Sequence, residues 1–128
     1  MGRYTKILQD KATKKLMTDK KVHKQVYRRS LQKFDLHKNQ LILDFKDHSV
    51  TKEIEAGPTA MNISGTIIGP GNLFSFIGFY DSDRPISPVL NLLMQGIQLL
   101  KTKPKITRTK TRVYLGYQIK TPTEADFS

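Results

Sequence analysis

Residues 61–79 read MNISGTIIGPGNLFSFIGF, and this stretch decides the fold predicted for the chain. Two runs rich in strand-forming residues flank Gly69-Pro70-Gly71-Asn72, where glycine supplies positive φ and proline fixes φ at the place a reversal needs them. The second run, 73–77, alternates residues on two faces, and Phe79 continues it. The pattern predicts a β-hairpin that is largely apolar on both faces, so each face needs something to cover it.

The spacing of apolar residues before the predicted hairpin indicates an amphipathic helix. Residues 20–34, KKVHKQVYRRSLQKF, place Val22, Val26 and Phe34 at multiples of four. Asp19 stands where a helix N-cap is expected. The opposite face is basic. The run LILDF at 41–45 is too short for its period to decide between a strand and a loop.

Two more helices are predicted on either side of the hairpin. Ser49 is a candidate N-cap for a short helix that Gly57 ends. Ser87-Pro88 provides an N-cap followed by proline at the first helical position, and apolar residues then recur at helical spacing as far as Leu100. Gly96 within this helix indicates close packing or an early end.

The C-terminal segment 103–122, KPKITRTKTRVYLGYQIKTP, alternates with period two and predicts one long strand that is basic on one side. The fold class is therefore α+β, a small antiparallel sheet with a central hairpin and two main helices packed on it. We expect a flexible basic arm over residues 1–18, a single domain over 19–122 and a frayed tail over 123–128.

Charge is distributed unevenly along the 128 residues, which carry 22 Lys/Arg and 11 Asp/Glu for a net charge of +11. Residues 1–38 hold 12 basic against 3 acidic residues, residues 39–100 hold 3 against 6, and residues 101–128 hold 7 against 2. Basic ends around a mildly acidic body suit nucleic acid, an acidic partner, or subunits that meet through opposite charges. No apolar run approaches the roughly 18 residues that span a bilayer, so no membrane contact is expected.

Catalytic and metal-binding patterns are missing from the sequence. The chain has no cysteine, and its three histidines, His23, His37 and His48, have no i, i+4 or HxH spacing that would suggest a metal site. Glu53 and Glu55 form a local acidic pair, which is interpreted as solvated charge. The glycines of 65–78 match no phosphate-binding motif. The sequence predicts a protein that is not an enzyme and that binds no cofactor or metal.

Interaction surfaces are the remaining candidates. The basic helix face and the basic row of the long strand could neutralise phosphates or meet an acidic protein surface, and the aromatic residues do not interleave with them as a stacking platform would. The apolar hairpin is the third candidate. The interface candidates are Lys21, Lys24, Arg28, Arg29, Phe74, Phe76, Phe79, Arg108, Lys110 and Arg112.

The stretch EIEAGPTAMNISGTIIGPGNLFSFIGF, continuing into DRPISPVLNLL, resembles a segment of virion structural proteins of tailed bacteriophages, in the neck and tail completion group. The resemblance covers roughly residues 45–120, and its distinctive elements are Gly57-Pro58, Ser64-Gly65 and GNLFSFIGF. It implies a tail-terminator-like protein, with two helices on a small antiparallel sheet, that assembles as a ring between head and tail. It implies no catalytic residues.

The function predicted is that of a ring-forming neck or tail completion component that joins head and tail through protein contacts. Its partners would be other copies of itself and neighbouring neck or tail proteins, with proximity to DNA left open. It would be made in the host cytoplasm and reside in the virion. The alternative hypothesis is a basic RNA-binding or ribosome-associated protein.

Overall fold

The computed structural model describes residues 10–12, 14–15, 18–109 and 112–127. In this part of the chain, α-helices span Lys20–Asp47 (α1), Ser49–Ala56 (α2), Leu73–Ile77 (α3) and Ile86–Gly96 (α4). Short 3₁₀ helices span Gly57–Thr59 and Glu124–Phe127. Strands Gln98–Leu99 (β1), Lys105–Arg108 (β2), Val113–Gly116 (β3) and Ile119–Lys120 (β4) pair as β1 with β4 and β2 with β3. The predicted α+β class with small antiparallel sheets is confirmed.

The central hairpin predicted at 61–79 is wrong. Residues 61–72 contain no regular element, and the second arm of the expected hairpin is helix α3. Asn72 caps this helix, because its side-chain oxygen accepts a hydrogen bond from the Ser75 N–H at 2.9 Å. Gly78 closes it in the left-handed conformation, at φ 96°. The two caps, with only five residues between them, thus override the strand-like alternation of those residues.

Helix α1 is longer than predicted. It begins where expected, with the Asp19 carboxylate accepting hydrogen bonds from the N–H groups of Lys21 and Val22 at 2.9 and 3.4 Å. It runs for 28 residues, so the LILDF segment at 41–45 is helical. The cap of α2 is also corrected, since His48 Nδ1 accepts the hydrogen bond from the Val50 N–H and Ser49 is already helical.

The long C-terminal strand is replaced by a hairpin and a separate short strand. Strands β2 and β3 pair antiparallel, with Arg108 opposite Val113 and Ile106 opposite Leu115. Hydrogen bonds from the N–H and the hydroxyl of Thr109 to the Arg112 carbonyl close the end of the hairpin at 2.8 and 3.2 Å. The period-two alternation was therefore correct for strands but could not locate the reversal.

The chain forms two compact units. The first comprises the sequence up to Asp35 together with Leu99–Lys120, and the second comprises Leu36–Gln98 and the sequence from Thr121 onward. The predicted arm over 1–18 lies mostly outside the described residues. The single domain predicted for 19–122 and the frayed tail remain predictions.

Two tyrosines hold the first unit together. The rings of Tyr27 on α1 and Tyr117 meet edge to face with centroids 5.2 Å apart. The Tyr117 hydroxyl donates to the His23 carbonyl at 3.0 Å, and the Tyr27 hydroxyl donates to the Leu99 carbonyl at 3.4 Å. Burial of the Tyr117 hydroxyl, and then the neighbouring Tyr27, raise the pKa of Tyr117. The pair fixes α1 against the segments around β1 and β4.

In the second unit, α2 packs against α3 and α4. The Lys38 ammonium donates to the carbonyls of Met94 and Ile97 and so satisfies free groups at the C-terminal end of α4. Gly96 ends α4 and packs tightly, since a Cβ there would lie 2.7 Å from Pro122 Cγ. Both readings predicted for this glycine are confirmed.

The two faces of α3 differ sharply in burial, which gives a direct test of the helix. Phe74 is 1% exposed and packs against Phe79 with ring centroids 5.3 Å apart, whereas Phe76 is 74% exposed. We expect Phe74→Ala to cost about 3–5 kcal/mol of unfolding free energy, because it empties the core. Phe76→Ala, the matched control, should change it by less than about 0.5 kcal/mol. Urea denaturation measures both, and equal losses would contradict the helix.

Candidate interaction surfaces

A buried carboxylate organises the second unit. Glu53 on α2 is 0% exposed, and its Oε1 accepts hydrogen bonds from the N–H and the hydroxyl of Ser64 at 3.0 and 3.2 Å. Its Oε2 accepts a hydrogen bond from the Leu73 N–H at 2.6 Å. One side chain therefore ties the loop after α2 and the first turn of α3 to the same point. The expectation that Glu53 is solvated charge is wrong.

Asparagine side chains extend this arrangement. The Asn72 amide donates to the carbonyls of Pro58 and Ala60 at 2.9 and 3.0 Å while its oxygen caps α3. The Asn62 amide donates to the Ile67 carbonyl at 2.8 Å and spans the loop between them. Because loop carbonyls are bound by side chains, segment 60–72 holds a defined shape without regular secondary structure.

The hydrogen bonds keep Glu53 ionised. The Ser64 N–H is the largest influence and lowers the pKa of Glu53, burial opposes it, and the Leu73 N–H adds to the lowering. The net direction is downward from the ordinary value of 4.5. The carboxylate is therefore charged at neutral pH inside the unit and is stabilised by N–H donors.

Large apolar side chains project to solvent from the segment that Glu53 anchors. Ile68 is fully exposed, and Met61 and Tyr80 are about four-fifths exposed. We call this set the apolar rim, and its members are Met61, Ile63, Ile68, Phe76, Ile77 and Tyr80. Because these residues all come from segment 61–80, the rim is a candidate protein-binding surface.

The basic face predicted on α1 is present. Lys21, Lys24, Arg28 and Arg29 are all exposed, while the intervening Val22, Val26 and Tyr27 are partly buried. Together with the exposed Lys20 and Lys33, they make six basic residues without one acidic residue over 20–34. We call Lys21, Lys24, Arg28 and Arg29 the basic face.

The strand on which the predicted basic row was based ends at Arg108, and the next strand begins at Val113. Arg108 shares a face of the hairpin with Ile106 and forms a 2.7 Å ion pair with Asp10. Arg112 is exposed at the closing turn, and Lys110 lies outside the described residues. The strand alternation on which the row was based breaks at the turn.

The three aromatic interface candidates differ in their exposure to solvent. Phe74 is buried in the core and cannot reach a partner, so its assignment as an interface residue is wrong. Phe79 is partly buried against it, and Phe76 is exposed on the apolar rim. Phe74 and Phe76 lie on α3, Phe79 follows its C-terminal cap, and the basic candidates of 20–34 lie together on α1.

The two units carry opposite charge. By sequence, the first unit contains 18 Lys/Arg and 3 Asp/Glu, and the second contains 4 Lys/Arg and 8 Asp/Glu. Their net charges are therefore +15 and −4. The basic face belongs to the first unit and the apolar rim to the second.

Sequence reasoning missed Glu53, Asn72 and most of the apolar rim. A signal for Asn72 was available, because asparagine followed six residues later by glycine matches the N-cap and C-cap of a short helix. Nothing in the local pattern marks Glu53, since its donors come from 11 and 20 residues along the chain.

No protein-family model matches the chain, and neither a curated protein nor a solved structure resembles it significantly. The described residues contain no group of three His, Asp or Glu side chains placed to hold a metal ion. No helix in that part of the chain has the length and apolar character to cross a bilayer.

Replacement of Glu53 should destabilise the second unit and change its response to acid. In Glu53→Gln, the amide NH₂ must face the N–H of Ser64 or Leu73, so we expect the melting temperature at pH 7 to fall by several degrees. Since the folded pKa is lowered, the wild-type stabilisation is fully present above pH 4.5 and is lost as the pH falls through the lowered value.

Glu55→Gln is the matched control, because Glu55 lies on the same helix and is exposed. Circular dichroism melts between pH 2 and pH 7 should show a weaker acid dependence for Glu53→Gln than for Glu55→Gln. Identical profiles for the two variants would refute the role of the buried carboxylate.

Proposed function

We propose that this chain is a virion structural protein, a ring-forming neck or tail completion component that joins head and tail through protein contacts. The resemblance of residues 45–120 to that group suggests the role. The surface of the isolated chain supports an assembly role independently.

The observation that carries the proposal is the set of large apolar side chains that the second unit leaves in water. Ile68 is fully exposed, and Met61, Phe76 and Tyr80 are 80%, 74% and 79% exposed. Apolar groups of this size are candidates for cover by a protein partner.

The interior is correspondingly small. Among the described residues, Leu73 and Phe74 are the only buried large apolar side chains, whereas the apolar rim stands in water. Hydrophobic burial is the main favourable term in folding, and a partner that covers the rim would add to it. An assembly subunit fits this distribution, because its interfaces complete the core.

Opposite charges suit a head-to-tail contact. A ring needs heterologous interfaces, in which one face of a subunit meets a different face of the next. The acidic second unit and the basic first unit supply two such complementary faces. The chain would be made in the host cytoplasm. In the virion, the ring would lie between capsid and tail.

The RNA-binding or ribosome-associated alternative is favoured by the charge of +15 on the first unit. A salt titration of RNA binding tests it. Tight, salt-sensitive binding to structured RNA, together with a strictly monomeric state, would favour this alternative over assembly.

Light scattering on gel-filtered protein tests the assembly proposal. We expect concentration-dependent oligomers, and we expect Ile68→Ser/Phe76→Ser to raise the dissociation constant at least tenfold because it removes two large side chains from the apolar rim. The melting temperature of the dilute variant should remain within about 2 °C of the wild-type value.

Leu36→Ser/Leu43→Ser is the matched control, since both leucines are exposed on α1 outside the rim. It should assemble like the wild type. A chain that stays monomeric at high concentration, and that binds no phage portal or tail protein, would contradict the proposal.

A further inference from the structure

We infer that the basic face of α1 binds the phosphate backbone of double-stranded DNA without sequence preference. The inference concerns the first unit and does not depend on ring formation, which the apolar rim of the second unit would carry. It is drawn from four observations: the charge balance, the spacing of the cations, their position on the helix and the engagement of the nearby aromatic rings.

Charge balance favours a polyanion over another copy of the chain. The first unit has a net charge of +15, and the second unit of a neighbour offers only −4. Self-assembly would therefore leave +11 on every subunit, and a ring of such subunits would repel itself. A duplex carries one negative charge per about 1.7 Å of its axis and can neutralise that excess.

The cations are spaced for repeated contact. Lys21, Lys24 and Arg28 follow one another at three and four residues, so they lie along one side of α1. At about 1.5 Å per residue, the interval from Lys21 to Arg28 is about 10 Å. The exposed Lys101 lies near the same helix, with its ammonium 5.9 Å from the Tyr27 ring centre. These cations can therefore contact several phosphates of one nucleic-acid backbone at the same time.

The position of the cations is unfavourable for the helix itself. The first turn of α1 contains no acidic residue and includes Lys20 and Lys21. Cations near a helix N-terminus oppose the helix dipole, whereas a bound anion there is favoured by it. The Asp19 carboxylate at the cap offsets only one charge. A phosphate backbone would offset the rest.

The two aromatic rings packed beside the basic face, Tyr27 and Tyr117, favour a duplex over a single strand there, and the exposed Tyr114 of the same unit lies on β3. Single-stranded nucleic acids are bound by exposed aromatic faces that stack with bases. Tyr27 and Tyr117 are partly buried, pack edge to face and donate to backbone carbonyls. Neither ring is free to stack on a base, so the contact is expected to be with phosphates alone.

Fluorescence anisotropy of the full chain with a labelled 30-base-pair duplex tests the inference. About four phosphate contacts predict a slope near −3.6 for log K against log salt, and roughly a hundredfold loss of affinity from 50 to 200 mM salt. Arg28→Gln/Arg29→Gln should reduce the slope by about two units.

Lys46→Gln/Lys52→Gln is the matched control, because it removes the same charge from exposed residues of the second unit. Its slope should equal that of the wild type. Equal weakening by both double variants would overturn the inference by showing that only total charge matters. A slope shallower than −1 for the wild type would overturn it too.

Competition identifies the partner. We expect duplex DNA of several sequences to compete equally, and single-stranded DNA of the same length to compete at least fivefold less well. Stronger competition by poly-glutamate at equal charge would overturn the inference and assign the face to an acidic protein. Ile68→Ser/Phe76→Ser, which alters only the apolar rim, should bind the duplex with the wild-type salt slope, so loss of DNA binding and loss of assembly are read separately.

Discussion

The second unit depends on one buried carboxylate. Glu53 accepts hydrogen bonds from two segments that are distant from each other in sequence, and it does so where no water reaches it. Burial of a charge is costly unless donors replace the lost water, and the N–H groups of Ser64 and Leu73 serve that purpose. The loop between them is therefore defined by the carboxylate, since it lacks helix or strand hydrogen bonds of its own.

This constraint explains why so small a core can coexist with an ordered, apolar loop. In most domains a loop is shaped by apolar burial beneath it, but here Leu73 and Phe74 are the only large apolar side chains buried in the described residues. Polar connections from Glu53, Asn62 and Asn72 hold the backbone instead. The apolar side chains are thereby left available at the surface, where a partner could cover them.

The helices and the fold class were predicted more accurately from the sequence than segment 61–79, which supplies most of the apolar rim. Long amphipathic periodicity located α1, and Asp19 marked its start. Over five residues, however, the alternation in 73–77 fits a strand and a one-turn helix equally well, and the caps at Asn72 and Gly78 decide. Alternation in 105–119 likewise indicated strands but not the reversal at 109–112.

The candidate surfaces divide in the same way. The basic face of α1 was predictable because helical spacing alone places Lys21, Lys24 and Arg28 on one side. The apolar rim was predicted only as an apolar hairpin. Which of its residues are exposed depends on Glu53, whose partners lie too far along the chain for any local pattern to reveal. Phe74 and Phe76 show the consequence, because residues two apart on a strand would share one face, whereas on the helix one is buried and the other exposed.

Separation of charge and apolar surface between the two units has a physical consequence for assembly. The affinity of an apolar interface changes little with salt concentration, whereas the affinity of phosphate contacts falls steeply as the salt concentration rises. A chain that used one surface for both partners could not respond to them independently. With the apolar rim on an acidic unit and the basic face on another, the proposed protein contacts would persist at a salt concentration that releases the proposed DNA partner.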